Sequence, residues 1–153
     1  MKPTAHLAAS AVASTSLYFF TKSMPIAGAS LIAGFLVDID HLIDYFREYG
    51  FRTDIREFLR IFYETRFRKL YLVFHSWELI FTLLLLAWLS GRNEVLFGLS
   101  AGVLQHLILD QFANGVTPWG YFFTYRVIKR FSMREIVREA VVMKKRKQRQ
   151  PGS

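Results

Sequence analysis

The sequence predicts an all-α protein, a membrane-embedded antiparallel four-helix bundle with an interfacial amphipathic helix and a basic C-terminal tail. Three observations carry this. The 153 residues are 52% hydrophobic and 16% aromatic, at the apolar end for a single soluble domain. Four apolar segments, roughly Thr4 to Phe20, Pro25 to Val37, Tyr71 to Ser90 and Val95 to Ala113, include two pairs joined by the short breaks "TKSMP" and "GRNE", which predict antiparallel neighbours. The charge is segregated: from Arg126 to Arg149 there are ten Lys or Arg against Glu135 and Glu139, so this stretch alone accounts for the net charge of +8.

The first segment is short and rich in Ala, Ser and Thr. Its start, "MKPTAHLAASAVAS", also fits a signal peptide cleaved after Ala13, but the apolar core is weak for one. The second offers only about a dozen apolar residues before it runs into "DIDHLID" at positions 38 to 44, a length that a buried helix of a soluble enzyme would share. The third and fourth approach the length a bilayer requires.

Between the second and third segments, Phe51, Ile55, Phe58, Leu59 and Phe62 recur at helical spacing, with Arg52, Arg56, Glu57 and Arg60 opposite. Residues 51–69 are therefore expected to form an amphipathic helix, lying on the membrane or packed on the bundle. The stretch from Arg47 to Lys69 carries seven basic residues and the tail ten, whereas the other two connections offer only Lys22 and Arg92. By the positive-inside rule this predicts a multi-pass protein of the inner (cytoplasmic) membrane with both termini in the cytoplasm. The expected organisation is a helical membrane domain at 1–125 and a tail at 126–153 that touches anionic lipid. No nucleic-acid partner is expected, because "KKRKQRQ" has no interleaved aromatic residue to stack on bases.

There is no cysteine, so a metal would have to be held by imidazole and carboxylate. His6 opens the first helix, His41 closes the second, His75 opens the third and His106 lies in the last turns of the fourth. In an up-and-down bundle these positions share one end. Carboxylates accompany them: "HSWE" sets His75 and Glu78 three apart, and "HLILD" sets His106 and Asp110 four apart, each pair on one helical face. In "DIDHLID", Asp38, Asp40, His41 and Asp44 span an arc of roughly 160° on an unbroken helix, with Asp38 and Asp40 pointing well apart and Asp44 nearest the aqueous edge. Carboxylates near a membrane are costly unless paired or bound to a cation.

The order of these motifs, an early His, then "DIDH", then "HS", then "HLILD" followed by "TPWG", resembles the YdjM-like family of bacterial membrane-bound metal-dependent hydrolases. It is similar, more distantly, to helical zinc-dependent phospholipases C. The overlap runs from His6 to about Gly120. Two departures are visible. Where relatives have an additional His in an "HRGxTHS" arrangement this chain reads "RKLYLVFHS", with Leu at position 70, and "QFANGVTP" is longer than the usual "MLTP".

Together, residues and resemblance imply a hydrolase acting on a phosphoester or lipid-derived substrate through a metal-activated water, with one to three divalent ions, zinc first and Mn²⁺ or Mg²⁺ as alternatives. The expected ligands are His6, Asp38, His41, His75, His106 and Asp110, with Asp40 or Glu78 as a further ligand or as the general base. Arg68, Lys69 and Arg126 border the same end as phosphate binders or interface anchors. The rival readings are a haem protein, a metal transporter, and a scaffold whose metal is structural.

Overall fold

The computed structural model describes residues 3–51, 54, 56, 58, 61 and 67–138. Among the described residues all regular structure is helical: α1 (Pro3–Thr21), α2 (Met24–Leu36), α3 (Ile39–Tyr49), α4 (Trp77–Leu89), α5 (Glu94–Ala113), α6 (Phe123–Ile128) and α7 (Met133–Ile136). The two short breaks are built as helix starts. Ser23, Ser76 and Asn93 stand in extended backbone as N-caps, each accepting the N–H three residues on, from Ile26, Leu79 and Leu96. Such caps satisfy first-turn donors that have no partner inside the helix.

α1 and α4 pack on either side of a central α2–α5 pair. These two helices run parallel, and glycine decides how closely. A Cβ at Gly98 would collide with the Ile26 carbonyl and the Ala29 side chain, and one at Gly102 with the Ser30 carbonyl and Ala33. With small residues on both faces the backbones approach closely. Ser10 Oγ donates to Gln105 Oε1 at 3.0 Å, and Ser14 Oγ donates to the Ala27 carbonyl, bringing α1 onto the same pair.

α2 does not run on unbroken into "DIDHLID". It ends at Leu36, and 3₁₀-type bonds, Asp40 N–H to Val37 O at 3.3 Å and His41 N–H to Asp38 O at 3.1 Å, turn the chain into α3. Taken through that turn, Met24–Tyr49 is 26 residues, and Glu94–Ala113 is 20; both are long and apolar enough to cross a membrane, whereas Trp77–Leu89 is apolar but shorter. Their outer faces leave Phe35, Phe81, Leu85, Leu104 and Ile108 exposed.

Of the amphipathic helix expected at 51–69, Arg56, Phe58 and Ile61 are helical; Ile61 is buried and Phe58 stands edge-on to Tyr45. Residues 67–69 are not helical, and most of the intervening positions lie outside the described residues, as does the tail from 139 onward. The stretch 126–138, grouped with the tail by its charge, packs back on the histidine-bearing end. Ile136 and Val137 are buried, Thr117 N–H donates to Ile136 O at 2.9 Å, and Leu70 N–H donates to Phe131 O at 2.9 Å.

Candidate metal centre

Four acceptor atoms meet where α2 turns into α3, the 67–76 loop returns, and α5 ends. His75 Nε2 and His106 Nε2 lie 3.2 Å apart. Asp38 Oδ1 is 3.7 Å from the first and 3.4 Å from the second; Asp110 Oδ2 is 3.7 and 3.5 Å from them. All the candidate ligand atoms fall within 4.8 Å of one another. In a tetrahedral site with bonds of about 2.0–2.1 Å, ligand atoms stand roughly 3.3 Å apart, so this set is close enough to bind a metal ion. His75, His106 and Asp110 are buried, and Asp38 is 27% exposed.

The remaining ring nitrogens fix the tautomers. His106 Nδ1 lies 2.8 Å from the Gly34 carbonyl, which can only accept, so Nδ1 carries the hydrogen. His75 Nδ1 lies 3.2 Å from Asp40 Oδ2, with the same consequence. In the neutral form of each ring the Nε2 lone pair therefore faces the other ring and the two carboxylates. A proton between them would satisfy that pair alone and leave two carboxylates beside it; a divalent cation satisfies all four acceptors and balances their charge.

His6 and His41, expected as ligands, stand next to this set rather than in it. His6 Nε2 is 3.0 Å from Asp110 Oδ1, the oxygen turned away from the centre, and its ring stacks on His106 at 4.1 Å. His41 Nε2 is 3.7 Å from Asp38 Oδ1 and its ring is tilted against His75 at 5.1 Å.

Asp40, expected as a ligand or general base, instead supports His75. Its Oδ2 accepts the His75 backbone N–H at 3.1 Å, the Phe74 N–H and the imidazole Nδ1–H. Glu78 is directed away altogether. Its oxygens accept Phe123 N–H at 2.9 Å and Thr124 N–H at 3.0 Å, capping α6 from outside. The helical spacing that places Glu78 beside His75 does not apply, because His75 precedes α4 and is not yet helical. Nor is Asp44 at an aqueous edge: it is buried and accepts Tyr71 N–H at 2.9 Å and Leu72 N–H at 3.3 Å.

Arg126 is neither a phosphate binder nor an interface anchor. Fully buried, it donates from Nη1 to His75 O and from Nη2 to Leu72 O, both at 2.9 Å. Burial lowers its pKa to about 10, opposed by the charges of Asp40 and Glu78, so it remains a cation at neutral pH. The His75 loop is thus held by its N–H groups on one side and its carbonyls on the other. The sequence signal for this is an Arg set among aromatic residues in "YFFTYRV", within the stretch whose charge groups it with the tail. Tyr121 closes the site beside His75, its ring stacked at 6.3 Å; burial pushes its phenol well above the ordinary value and keeps it protonated.

No protein-family model matches the chain, and no curated protein or solved structure shows significant similarity to it.

Proposed function

We propose that this protein is a membrane-embedded metalloprotein, a four-helix bundle that holds a divalent ion at one end and hydrolyses a phosphoester or lipid-derived substrate. The observation that carries the metal is the approach of His75 Nε2 and His106 Nε2 to 3.2 Å, each with its other nitrogen committed to an acceptor. Two nitrogens and two carboxylates without sulfur suit zinc, with Mn²⁺ as the nearer alternative if further oxygens complete the shell.

A zinc ion held there would supply a water with its pKa lowered to about 7 and Lewis acidity toward a phosphoryl oxygen. The chain's own residues do the rest. Gly34 and Asp40 hold the two imidazoles in the tautomer that offers Nε2. Asp38, at 27% the most exposed of the four, marks the side from which a substrate approaches, and His41 borders that opening with its Nε2 3.7 Å from Asp38 Oδ1. Asp40 is committed through Oδ2 to the His75 segment and Glu78 through both oxygens to the start of α6, and neither is among the four convergent acceptors, so this reading assigns the base to neither.

Two membrane-length helices and the apolar outer faces support embedding, and the basic loop and tail support an inner-membrane location with cytoplasmic termini. The motif order that resembles the YdjM-like family favours hydrolysis over a purely structural ion. Elemental analysis of detergent-purified protein is expected to return bound zinc, and a screen over phospholipids and soluble phosphoesters is expected to find turnover. Protein that carries no tightly bound metal sinks the metalloprotein reading. Full metal occupancy without turnover on any phosphoester sinks the hydrolase reading alone, and release by carbonate washing sinks the membrane reading.

A further inference from the structure

A second pocket, of about 340 Å³, lies behind the 67–72 loop and is lined by Asp44, Arg47, Glu48, Arg68, Lys69 and Tyr71. Its volume is at the small end for ligand pockets, which run to about 300–1,000 Å³. At first sight three cations and two carboxylates nearly cancel. A formal excess of one positive charge remains, and backbone hydrogen bonds, rather than the cations, engage both carboxylates. Both oxygens of Glu48 accept the Arg68 backbone N–H at 2.9 Å, and Asp44 is turned inward onto the N–H groups of Tyr71 and Leu72. Among the described residues, neither carboxylate pairs with a cationic head that lines the pocket, and Arg47 rests on the Tyr71 ring at 4.3 Å.

We propose that this pocket binds a phosphate-bearing anion, either the headgroup of an anionic lipid or a free phosphate compound. Stacking on Tyr71 orients the Arg47 fork, and Arg68 and Lys69, adjacent in sequence and both exposed, supply the opposing charges. The pocket sits at the histidine-bearing end of the apolar helices, beside the turn that returns the chain to α4, where a bilayer's headgroup layer would lie if the helices span it. It shares no lining residue with the candidate metal centre.

The test uses the full chain in detergent with radiolabelled inorganic phosphate in equilibrium dialysis, and in phosphatidylcholine nanodiscs with and without phosphatidic acid. Saturable binding is expected for at least one probe, weakened about tenfold or more in Arg47→Gln/Arg68→Gln and in Lys69→Gln. All three side chains are exposed, so metal content and melting temperature should stay at wild-type values in these variants. His106→Ala should retain the binding. Inorganic phosphate binding in detergent identifies a free anion as ligand, and binding confined to phosphatidic acid discs identifies a headgroup. The proposal is overturned if neither probe binds saturably, if the arginine and lysine variants bind as wild type does, or if binding is lost in His106→Ala and kept in Arg47→Gln/Arg68→Gln.

Discussion

Arg126 reaches back across 51 residues of chain to donate to the carbonyl oxygen of His75 at 2.9 Å, while Asp40 accepts the N–H of that same residue at 3.1 Å. One peptide segment is therefore clamped by a buried cation and a buried anion that also compensate each other's charge. Removing one member leaves the other buried and uncompensated.

From this, Arg126→Met should destabilise the protein by about 3–5 kcal/mol, the usual cost of breaking a buried charge pair on one side. Arg126→Lys keeps the charge but not the two-pronged contact, and should recover part of the loss. Thermal unfolding in one detergent condition measures both. A wild-type melting temperature for Arg126→Met would mean that the clamp carries no stability.

Asp40→Asn and His106→Ala should be distinguishable by metal affinity. Losing the carboxylate that orients His75 is expected to weaken metal binding by about 10–100-fold, whereas losing a ligand atom should deplete the metal on purification. Competition against a chelator of known affinity resolves the two. Equal metal retention in both variants would contradict the assigned roles.

Glu78→Gln separates the spacing argument from the observed geometry. A ligand or general base at this position would make the substitution lower metal content or turnover. Its contacts with Phe123 and Thr124 instead predict unchanged metal affinity and a stability loss of about 0.5–2 kcal/mol, the range for a helix cap.

What the sequence made legible is the coarse plan. Alternating helices bring the four histidines to one end, and their rings do meet there, within 5.1 Å of one another along the chain of contacts His6, His106, His75, His41. All four convergent acceptors sit in the motifs that spacing singles out, "HSWE", "HLILD" and the start of "DIDHLID". Roles within the motifs were not legible, because they depend on backbone that leaves the ideal helix. The turn at Val37 and Asp38 reorients Asp40, and the non-helical approach to Ser76 separates His75 from Glu78. The role of Arg126 was not legible for a different reason: "YFFTYRV" sets it among aromatic residues, but its partners are carbonyl oxygens, which side-chain patterns do not name.

Acidification should release the metal. Both imidazoles must be neutral to offer Nε2, and protons compete for those lone pairs; against the opposing effect of burial, hydrogen bonds to Asp38 and Asp40 raise the His75 pKa above its ordinary value, so binding weakens as pH falls, beginning above that value. Metal content measured after dialysis between pH 8 and pH 5 should fall with at least one proton taken up per ion released. Metal retention independent of pH across that interval would argue against imidazole ligands.

Gly102→Leu should act at a distance. The side chain would meet Ser30 and Ala33 and force α2 away from α5, and His106 hangs from Gly34 across that interface. Overpacking of this kind costs about 1–3 kcal/mol, and it should lower metal affinity as well as the melting temperature. Intact metal affinity in a destabilised Gly102→Leu protein would show that the two are uncoupled.

The parts of the centre are spread along the chain in a particular temporal order. Asp38, His75, His106 and Asp110 emerge from the ribosome over more than seventy residues, and Arg126, which fixes the His75 segment, emerges after all of them. α1 and α2 can pair as soon as they are made, but no ion can be gripped by both histidines until α5 has been synthesised and laid parallel to α2. Metal acquisition at this site would consequently be a late event in biogenesis. An ion that arrives then ties together loops of about 30 residues each, so loading and completion of the fold become a single step rather than two.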